Sequence, residues 1–455
     1  MGVVRTRAAL LKKKGVCTMA FSLHGVHVPH RKNTHSKPVL RMDIPQTVTI
    51  PMNMHIGAPA TPIVKVGEEV KVGQKIAEAA GFVSVPVYSS VSGKVTKIAD
   101  RIGSNGKTTA TIVIAADGEQ TVADTVAAPS VTNRDELLTA LKESGVVGLG
   151  GAGFPTHVKF AADPERMEYL IVNGAECEPY VTSDTITMVE RGEDIARAIT
   201  AICTILGIRK VIVGIENNKK AAIAAMKKTA AAIVEADVRV KVLPAVYPQG
   251  GEKVLIYHTV GRTVPEGKLP IDVGCVVVNC TTLATIGAYL QTGMPLVEKC
   301  VTVDGGAVAR PQNVIAPIGA PMSALFDACG GLTCDPDRIV YGGPMMGITV
   351  PSTEEPVLTN TNAILALTKK ETKTPNTTAC IRCGACTNHC PFGLNPAAIS
   401  RALDNQDAEA LADLSVNTCM LCGCCSFVCP ANRPLVQNNR LAKDFLKNAQ
   451  EKGEV

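Results

Sequence analysis

Two cysteine runs dominate the chemistry open to this chain. One is Cys380-x2-Cys383-x2-Cys386-x3-Cys390-Pro391. The other is Cys419-x2-Cys422-x2-Cys425-x3-Cys429-Pro430, and twenty-eight residues separate Cys390 from Cys419. Three thiolates two residues apart can wrap one corner of a cuboidal cluster in a single tight loop. The fourth leaves that loop, and the proline after it directs the chain away. This is the spacing of [4Fe–4S] ligation, and in a two-unit array the fourth Cys ligates the cluster of the other unit. The expected sets are therefore Cys380, Cys383, Cys386 and Cys429 for one cluster, and Cys419, Cys422, Cys425 and Cys390 for the second. Zinc competes, but its sites usually take four ligands as two pairs across a long gap. Cys424 is surplus in the second run and reads as a packed small residue. His389 either hydrogen-bonds a cluster sulfur or lies on the surface. Seventeen cysteines with no evident secretory signal argue for metal binding over a disulfide framework, and the eight outside the array read as small core residues.

A second constellation lies upstream. Gly148-Leu149-Gly150-Gly151-Ala152-Gly153-Phe154-Pro155 lets the backbone approach a ligand closely and turn several N–H groups into one concavity, which suits a phosphate. Lys159 adds a positive charge at its far end. The loop follows a helix where the ordinary dinucleotide fingerprint follows a strand, so on pattern alone a tight surface turn competes. The next strand ends in Asn173-Gly174-Ala175-Glu176-Cys177-Glu178-Pro179. Polar groups at the carboxyl ends of parallel strands are where open α/β sheets bind ligands. Asn173 fits a flavin or ribose contact. Glu176 and Glu178 fit orientation of a nicotinamide, or are solvated loop charges. Asn279-Cys280-Thr281-Thr282 follows another apolar strand and adds donors, and Tyr247–Lys253 is a fourth candidate loop.

The elements that must position these groups are legible as changes of pattern. Residues 40–125 read as short strands, among them Ile63–Val66, Val70–Val72, Val83–Tyr88 and Lys94–Ile98, punctuated by glycines. The repeats Val64-Lys65-Val66-Gly67-Glu68 and Val70-Lys71-Val72-Gly73-Gln74 resemble the barrel-sandwich hybrid of biotinyl and lipoyl carriers. Ala80–Ser84, where a carrier lysine would sit, has none, so the module is expected to be structural or a docking surface. Residues 130–290 alternate helices (133–144, 192–206, 218–235) with strands (168–172, 210–213, 238–243, 276–278), which implies a parallel sheet. Residues 297–350 suggest a small β-grasp-like domain, 351–378 a linker, and 379–455 the cluster domain with helices at 396–404 and 434–448. Apolar residues at 46% and charged at 19% place the chain among globular proteins. A net charge of +5 over 455 residues with 3% aromatics argues against a nucleic-acid partner. No apolar run reaches the roughly 18–20 residues of a membrane helix; Ile271–Cys280 is interrupted by Asp272 and Gly274. Within residues 1–39, Arg5, Arg7 and Lys12–Lys14 make either a basic helix on a membrane surface or, the favoured reading, a floppy tail or an overlong start with translation beginning at Met19. His24, His27, His30 and His35 lack neighbouring Cys or carboxylate ligands and read as ordinary histidines.

The glycine loop, the Asn-x-x-Glu-x-Glu-Pro segment and the Asn-x-x-Thr-Leu segment resemble the flavin- and NADH-binding subunit of respiratory complex I. That family usually carries Arg where Leu149 stands, an acidic residue at Ala175, a second Glu at Lys253, and one cluster. Those departures, His24-Gly25-Val26-His27, Met54-His55-Ile56-Gly57-Ala58-Pro59-Ala60 and the doubled cluster are more similar to the RnfC family, the C subunit of the ion-translocating Rnf electron-transport complex. This resemblance implies a multidomain α/β protein: barrel-sandwich hybrid, Rossmann-like flavin/NADH domain, SLBB domain and helical dicluster ferredoxin domain. It implies FMN held by Gly148, Gly150, Gly151, Gly153, Phe154, Lys159, Asn173, Asn279 and Thr282, with Glu176 and Glu178 positioning nicotinamide or flavin. It further implies NAD(H) as substrate and a peripheral place on the cytoplasmic side of the membrane. Electrons would pass to membrane subunits or ferredoxin. A soluble flavin and iron–sulfur reductase, such as the microcompartment cobalamin reductase, is the alternative, and an electron-relaying adaptor with a dead nucleotide fold a third.

Overall fold

The computed structural model describes residues 24–103 and 106–453. The basic stretch through Lys14 and Met19 lie outside the described residues. The chain divides into two compact units. One comprises His27–Glu252 with Gly274–Pro375; the other includes Lys253–Val273 and the segment from Asn376 onward.

The first module of the larger unit is a small barrel of two antiparallel sheets. One orders Thr47–Pro51, Thr108–Ala116, Gly93–Ile102 and Glu69–Val70; the other orders Thr61–Pro62, Lys75–Glu78 and Val87–Tyr88. Val48, Ile50, Ile76, Val91, Val95, Ile112 and Ile114 are all fully buried between them. Ile63–Val66, expected as a strand, is a loop with Ile63 and Val66 exposed. The repeated motif explains why. In both copies the glycine takes a left-handed conformation (Gly67 φ +92°, Gly73 φ +78°). In both, the next side chain bonds back three residues, Lys65 N to Glu68 Oε2 and Lys71 N to Gln74 Oε1, each at 3.0 Å. The repeat encodes two matching turns, and its valines flank them.

The second module carries a four-stranded parallel sheet ordered Asp237–Leu243, Lys210–Glu216, Tyr169–Gly174 and Cys275–Asn279. Leu170, Ile171 and Val172 at its centre are fully buried, as strands covered by helices on both faces require. Helix Gly192–Leu206 ends at Gly207, as the sequence indicates, and Lys220–Ala231 and Cys280–Thr292 complete the layers. Helix Arg134–Glu143 is capped by Asn133, whose side chain accepts from Glu136 N at 3.0 Å. Thr132, one residue earlier, donates to Glu136 Oε2 through N (2.7 Å) and Oγ1 (2.8 Å).

A six-stranded mixed sheet follows, ordered Leu40–Arg41, Gln312–Pro317, Glu298–Asp304, Ala363–Leu367, Arg338–Tyr341 and Ile348–Val350. Residues 351–378 do not behave as a linker. Ala363–Leu367 is wholly buried and pairs in parallel with Glu298–Asp304 and antiparallel with Arg338–Tyr341. Its five apolar residues outweigh the Thr, Pro, Asn and Lys around them.

The smaller unit packs helices Pro396–Asp404, Ala408–Asp413 and Leu435–Glu451 around Phe392, Leu394, Ile399, Leu411, Val416 and Leu446. Asn395 and Asp407 cap the first two helices, accepting from Ala398 N (3.1 Å) and Ala410 N (2.9 Å).

Candidate functional site

In the larger unit the glycine loop, the acidic segment and the Asn279 helix start converge at the carboxyl ends of the parallel strands. Gly148 N donates to Phe154 O at 2.9 Å and closes the loop. Leu149 N donates to Thr282 Oγ1 at 3.0 Å, and Thr282 Oγ1 reaches Val147 O at 3.3 Å. Asn360 Nδ2 holds Gly151 O at 3.0 Å. Lys299, fully buried, donates through Nζ to Leu149 O and to Thr359 O (3.0 Å), and burial pulls its pKa down to about 7.

What the loop leaves free is the observation that matters. Among the described residues, the N–H groups of Gly150, Ala152, Gly153 and Phe154 have no hydrogen-bond partner. A Cβ on Gly151 would meet nothing within 4 Å, whereas one on Gly150 would fall 2.4 Å from Asn279 Nδ2. A run of unpaired backbone donors beside open space is what a phosphate requires. The chain therefore fits an FMN phosphate at this loop.

The other expected residues are held by protein partners. Asn173 Nδ2 donates to Gly250 O (2.9 Å), and its Oδ1 accepts from Ala175 N (3.2 Å). Asn279 caps its helix through Oδ1, accepting from Thr281 N (2.9 Å) and Thr282 N (3.2 Å), and its Nδ2 bonds Asp184 Oδ2 (2.7 Å). Lys159 Nζ donates to Val277 O (2.8 Å) and pairs with Glu252 (3.1 Å). Phe154 is half-buried. The Glu176 carboxylate accepts from Asp184 N (2.7 Å), Thr185 N (3.3 Å) and Thr185 Oγ1 (2.5 Å), at the start of helix Ser183–Glu190. Its φ is +42°, and burial raises its pKa. Glu178 accepts from Met345 N (3.0 Å) and Met346 N (2.9 Å), and burial pushes its pKa up to about 7.

Sequence reasoning missed the cation that anchors this acidic segment. Lys32 Nζ donates to Glu176 O (2.9 Å), Glu178 O (2.7 Å) and Val181 O (2.6 Å). Asp184, Lys299 and the buried Glu216–Lys219 pair (2.6 Å) were also unmarked. Nothing in a single sequence relates Lys32 to carbonyls 144 or more residues away.

In the smaller unit the cysteines sort into two cavities. Cys380, Cys383, Cys386 and Cys429 line one. Cys390, Cys419, Cys422 and Cys425 line the other, so each run sends its fourth cysteine across. The loops repeat one backbone geometry. Arg382 and Leu421 (φ 56° and 60°) and Gly384 and Gly423 (φ 74° and 83°) take the left-handed conformation at matching positions. Among the described residues no three His, Cys, Asp or Glu are gathered to hold a single ion. Four thiols around a cavity fit a larger, cuboidal body. Leu421 N and Asn439 Nδ2 each donate to Cys419 Sγ at 3.4 Å. Cys424 is fully buried beside this second cavity. His389 Nδ1 bonds Ala385 O (2.9 Å), a backbone carbonyl. Burial pushes the Cys390 thiol up to about 11 and Cys425 up to about 12, so cluster uptake must release their protons.

Family models match four parts of the chain. Residues 21–119 match the RnfC barrel sandwich hybrid domain, 141–288 the Nuo51 FMN-binding domain, 300–349 the SLBB domain and 376–433 the 4Fe-4S dicluster domain. Together they define a flavin and iron–sulfur electron-transfer subunit. The chain is 42% identical over 380 residues to the C subunit of the Na(+)-translocating ferredoxin:NAD(+) oxidoreductase complex of Acetobacterium woodii, covering 82% of this chain and 85% of that one. It is 42% identical over 383 residues to the proton-translocating counterpart of Clostridium ljungdahlii, covering 83% of each. It is 38% identical over 441 residues to the C subunit of the ion-translocating oxidoreductase complex of Rhodobacter capsulatus, covering 95% of this chain and 84% of that one. The chain belongs to the RnfC family, the C subunits of the ion-translocating Rnf oxidoreductase complexes. No helix among the described residues is long and apolar enough to cross a membrane.

Proposed function

We propose that this chain is the electron-exchange subunit through which such a complex meets NAD(H), docked peripherally on the cytoplasmic face of the membrane. FMN supplies the conversion between hydride and single electrons when bound. The chain supplies the rest. The unpaired N–H groups of Gly150, Ala152, Gly153 and Phe154 anchor phosphate, and this observation carries the reading. Asn173 and Asn279, each fixed by its own hydrogen bonds, border the flavin. Glu176 and Glu178 hold the acidic segment's shape and position the nicotinamide or flavin through it. The eight cysteines hold two [4Fe–4S] clusters as a short one-electron path. The coupling ion belongs to other subunits: relatives named for sodium and for protons are equally identical to this chain. Flavin and iron assays on anaerobically prepared protein test the reading. One flavin and about eight irons per chain are expected. Flavin retention that survives Gly151→Asp, which puts a carboxylate among the phosphate donors, would overturn the loop assignment.

A further inference from the structure

Three of the four unpaired donors of the glycine loop are aimed from behind. In a trans peptide the carbonyl and the N–H that follows it point in opposite directions, so whatever holds the oxygen fixes where the hydrogen points. Gly153 O accepts from Ile56 N at 3.0 Å, which sets the N–H of Phe154. Gly151 O accepts from Asn360 Nδ2 at 3.0 Å, which sets that of Ala152. Leu149 O accepts from Lys299 Nζ, which sets that of Gly150. Of these three holders, only Lys299 can carry a charge.

Lys299 stands on strand Glu298–Asp304 and is 4% exposed. Among the described residues it pairs with no carboxylate; its partners are Leu149 O and Thr359 O. Lys159, at the far end of the loop, is by contrast already paired with Glu252. An ammonium buried without an anion is costly, and two carbonyls offset only part of that. Burial accordingly pulls the Lys299 pKa down to about 7. The glycine loop and residues 357–362 bring no titratable side chain against it. The ionisable groups that act on it are Asp184, from helix Ser183–Glu190, and Cys300, from its own strand. Asp184 is engaged by Asn279 Nδ2 and Thr281 Oγ1, each at 2.7 Å. The Cys300 thiol, pushed up to about 12 by burial, stays neutral; Glu176 and Glu190 act on that thiol. What the ammonium lacks is an anion across the Leu149–Gly150 peptide, on the side to which the free Gly150 N–H points.

We propose that Lys299 is the positioning residue and buried counter-charge for the phosphate end of the flavin: its ammonium aims the Gly150 N–H, makes the site prefer FMN to unphosphorylated flavin, and makes FMN binding take up a proton. The inference rests on the reading of this loop as the FMN phosphate site. An anion at the loop favours the charged lysine, so by linkage the charged lysine favours the anion. The free chain loses the Lys299 proton as pH rises through about 7, while the loaded chain keeps it to higher pH. FMN affinity therefore falls as pH rises beyond that point, and each FMN bound there draws a proton from solvent onto Nζ. The phosphate ester, with a second pKa of about 6, is already doubly charged in that range and adds no slope of its own.

The test uses the full-length protein with its clusters in place and its flavin removed, kept anaerobic and oxidised. Fluorescence titration gives the Kd for FMN and for riboflavin, and calorimetry in two buffers of different ionisation enthalpy counts protons. Wild type is expected to bind FMN about tenfold more weakly at about pH 9 than at about pH 7.5, with about one proton taken up per FMN and no such trend for riboflavin. Lys299→Met is expected to lose about tenfold or more in FMN affinity at about pH 7, to keep its riboflavin affinity and to take up no proton. Lys299→Arg, whose charge is permanent, should restore the preference for FMN without the pH slope. FMN binding to wild type with no proton taken up overturns the proposal. So does an equal loss of FMN and riboflavin affinity in Lys299→Met, the mark of a merely structural residue. Proton uptake that persists in Lys299→Met assigns the proton to Glu176 and overturns it too. Should Lys299→Met fail to fold, the wild-type proton count and Lys299→Arg decide. Wild type that binds FMN and riboflavin equally well, or neither, overturns the phosphate-site reading itself, a separate outcome.

Discussion

Replacing Lys32 by methionine removes one ammonium from the centre of the acidic segment and keeps the length of the side chain. Lys32 Nζ satisfies three backbone carbonyls, those of Glu176, Glu178 and Val181, at 2.6–2.9 Å. Burial lowers the lysine pKa, and the nearby Glu176 charge works against that shift. The ammonium therefore costs desolvation energy that its partners must offset. Hydrogen bonds from a charged donor contribute about 1.5–3 kcal/mol each, and removing one member of a buried charged group typically costs about 3–5 kcal/mol. The three bonds cannot be summed, since the carbonyls share one donor and the lysine's own desolvation is relieved. A loss of about 4 kcal/mol is the reasonable figure, and at about 2–4 °C per kcal/mol it lowers the melting point by roughly 10 °C. Flavin release during thermal melting gives the readout, with iron content as a control on the cysteine-bearing unit. The expected result is earlier flavin release with iron intact. A Lys32→Met protein that melts within about 2 °C of wild type and keeps its flavin would refute this account of how the segment is held.

Three further variants probe other parts of the site. Gly150→Ala places a Cβ 2.4 Å from Asn279 Nδ2 and disturbs both the helix cap and the Asp184 bond, so the flavin Kd should rise about tenfold or more, and an unchanged Kd in fluorescence titration would count against that packing. Glu178 has its pKa raised from 4.5 to about 7, so between those values the folded chain keeps a proton that the unfolded chain has lost. Stability should therefore fall as pH rises from 4.5 to 7, by about 3 kcal/mol from this group, and Glu178→Gln should flatten that slope in denaturant titrations. Asn439→Leu removes the bond to Cys419 Sγ and should move the midpoint potential of one cluster to more negative values while leaving the other in place. EPR-monitored redox titration reads both, and equal shifts in the two would contradict a local effect.

Local chemistry was the part most readable from the sequence. The cysteine spacing lies within about ten residues per run, the compass of a single ligating loop, so both loops and the crossing of Cys390 and Cys429 follow from it. Helix Gly192–Leu206 announced itself by an apolar face and a terminal glycine. Ala363–Leu367 was hidden because five residues show no period and their polar flanks resemble a linker. Ile63–Val66 misled because valines beside a turn look like valines in a strand. In the flavin site, the residue types were legible and their partners were not. Lys32 and Lys299 hold carbonyls 60 to 150 residues away, and a lysine's value there comes from a fold that brings several oxygens to one point.

The most direct measurement is an anaerobic titration of the loaded protein with NADH, followed by flavin absorbance and EPR together. Bleaching of the flavin should be accompanied by reduced-cluster signals, with up to about four electrons taken up per chain, two at the flavin and one at each cluster. Protein that holds its flavin and about eight irons, is reduced by dithionite, and yet stays oxidised under excess NADH would contradict the conversion of paired to single electrons assigned to this chain.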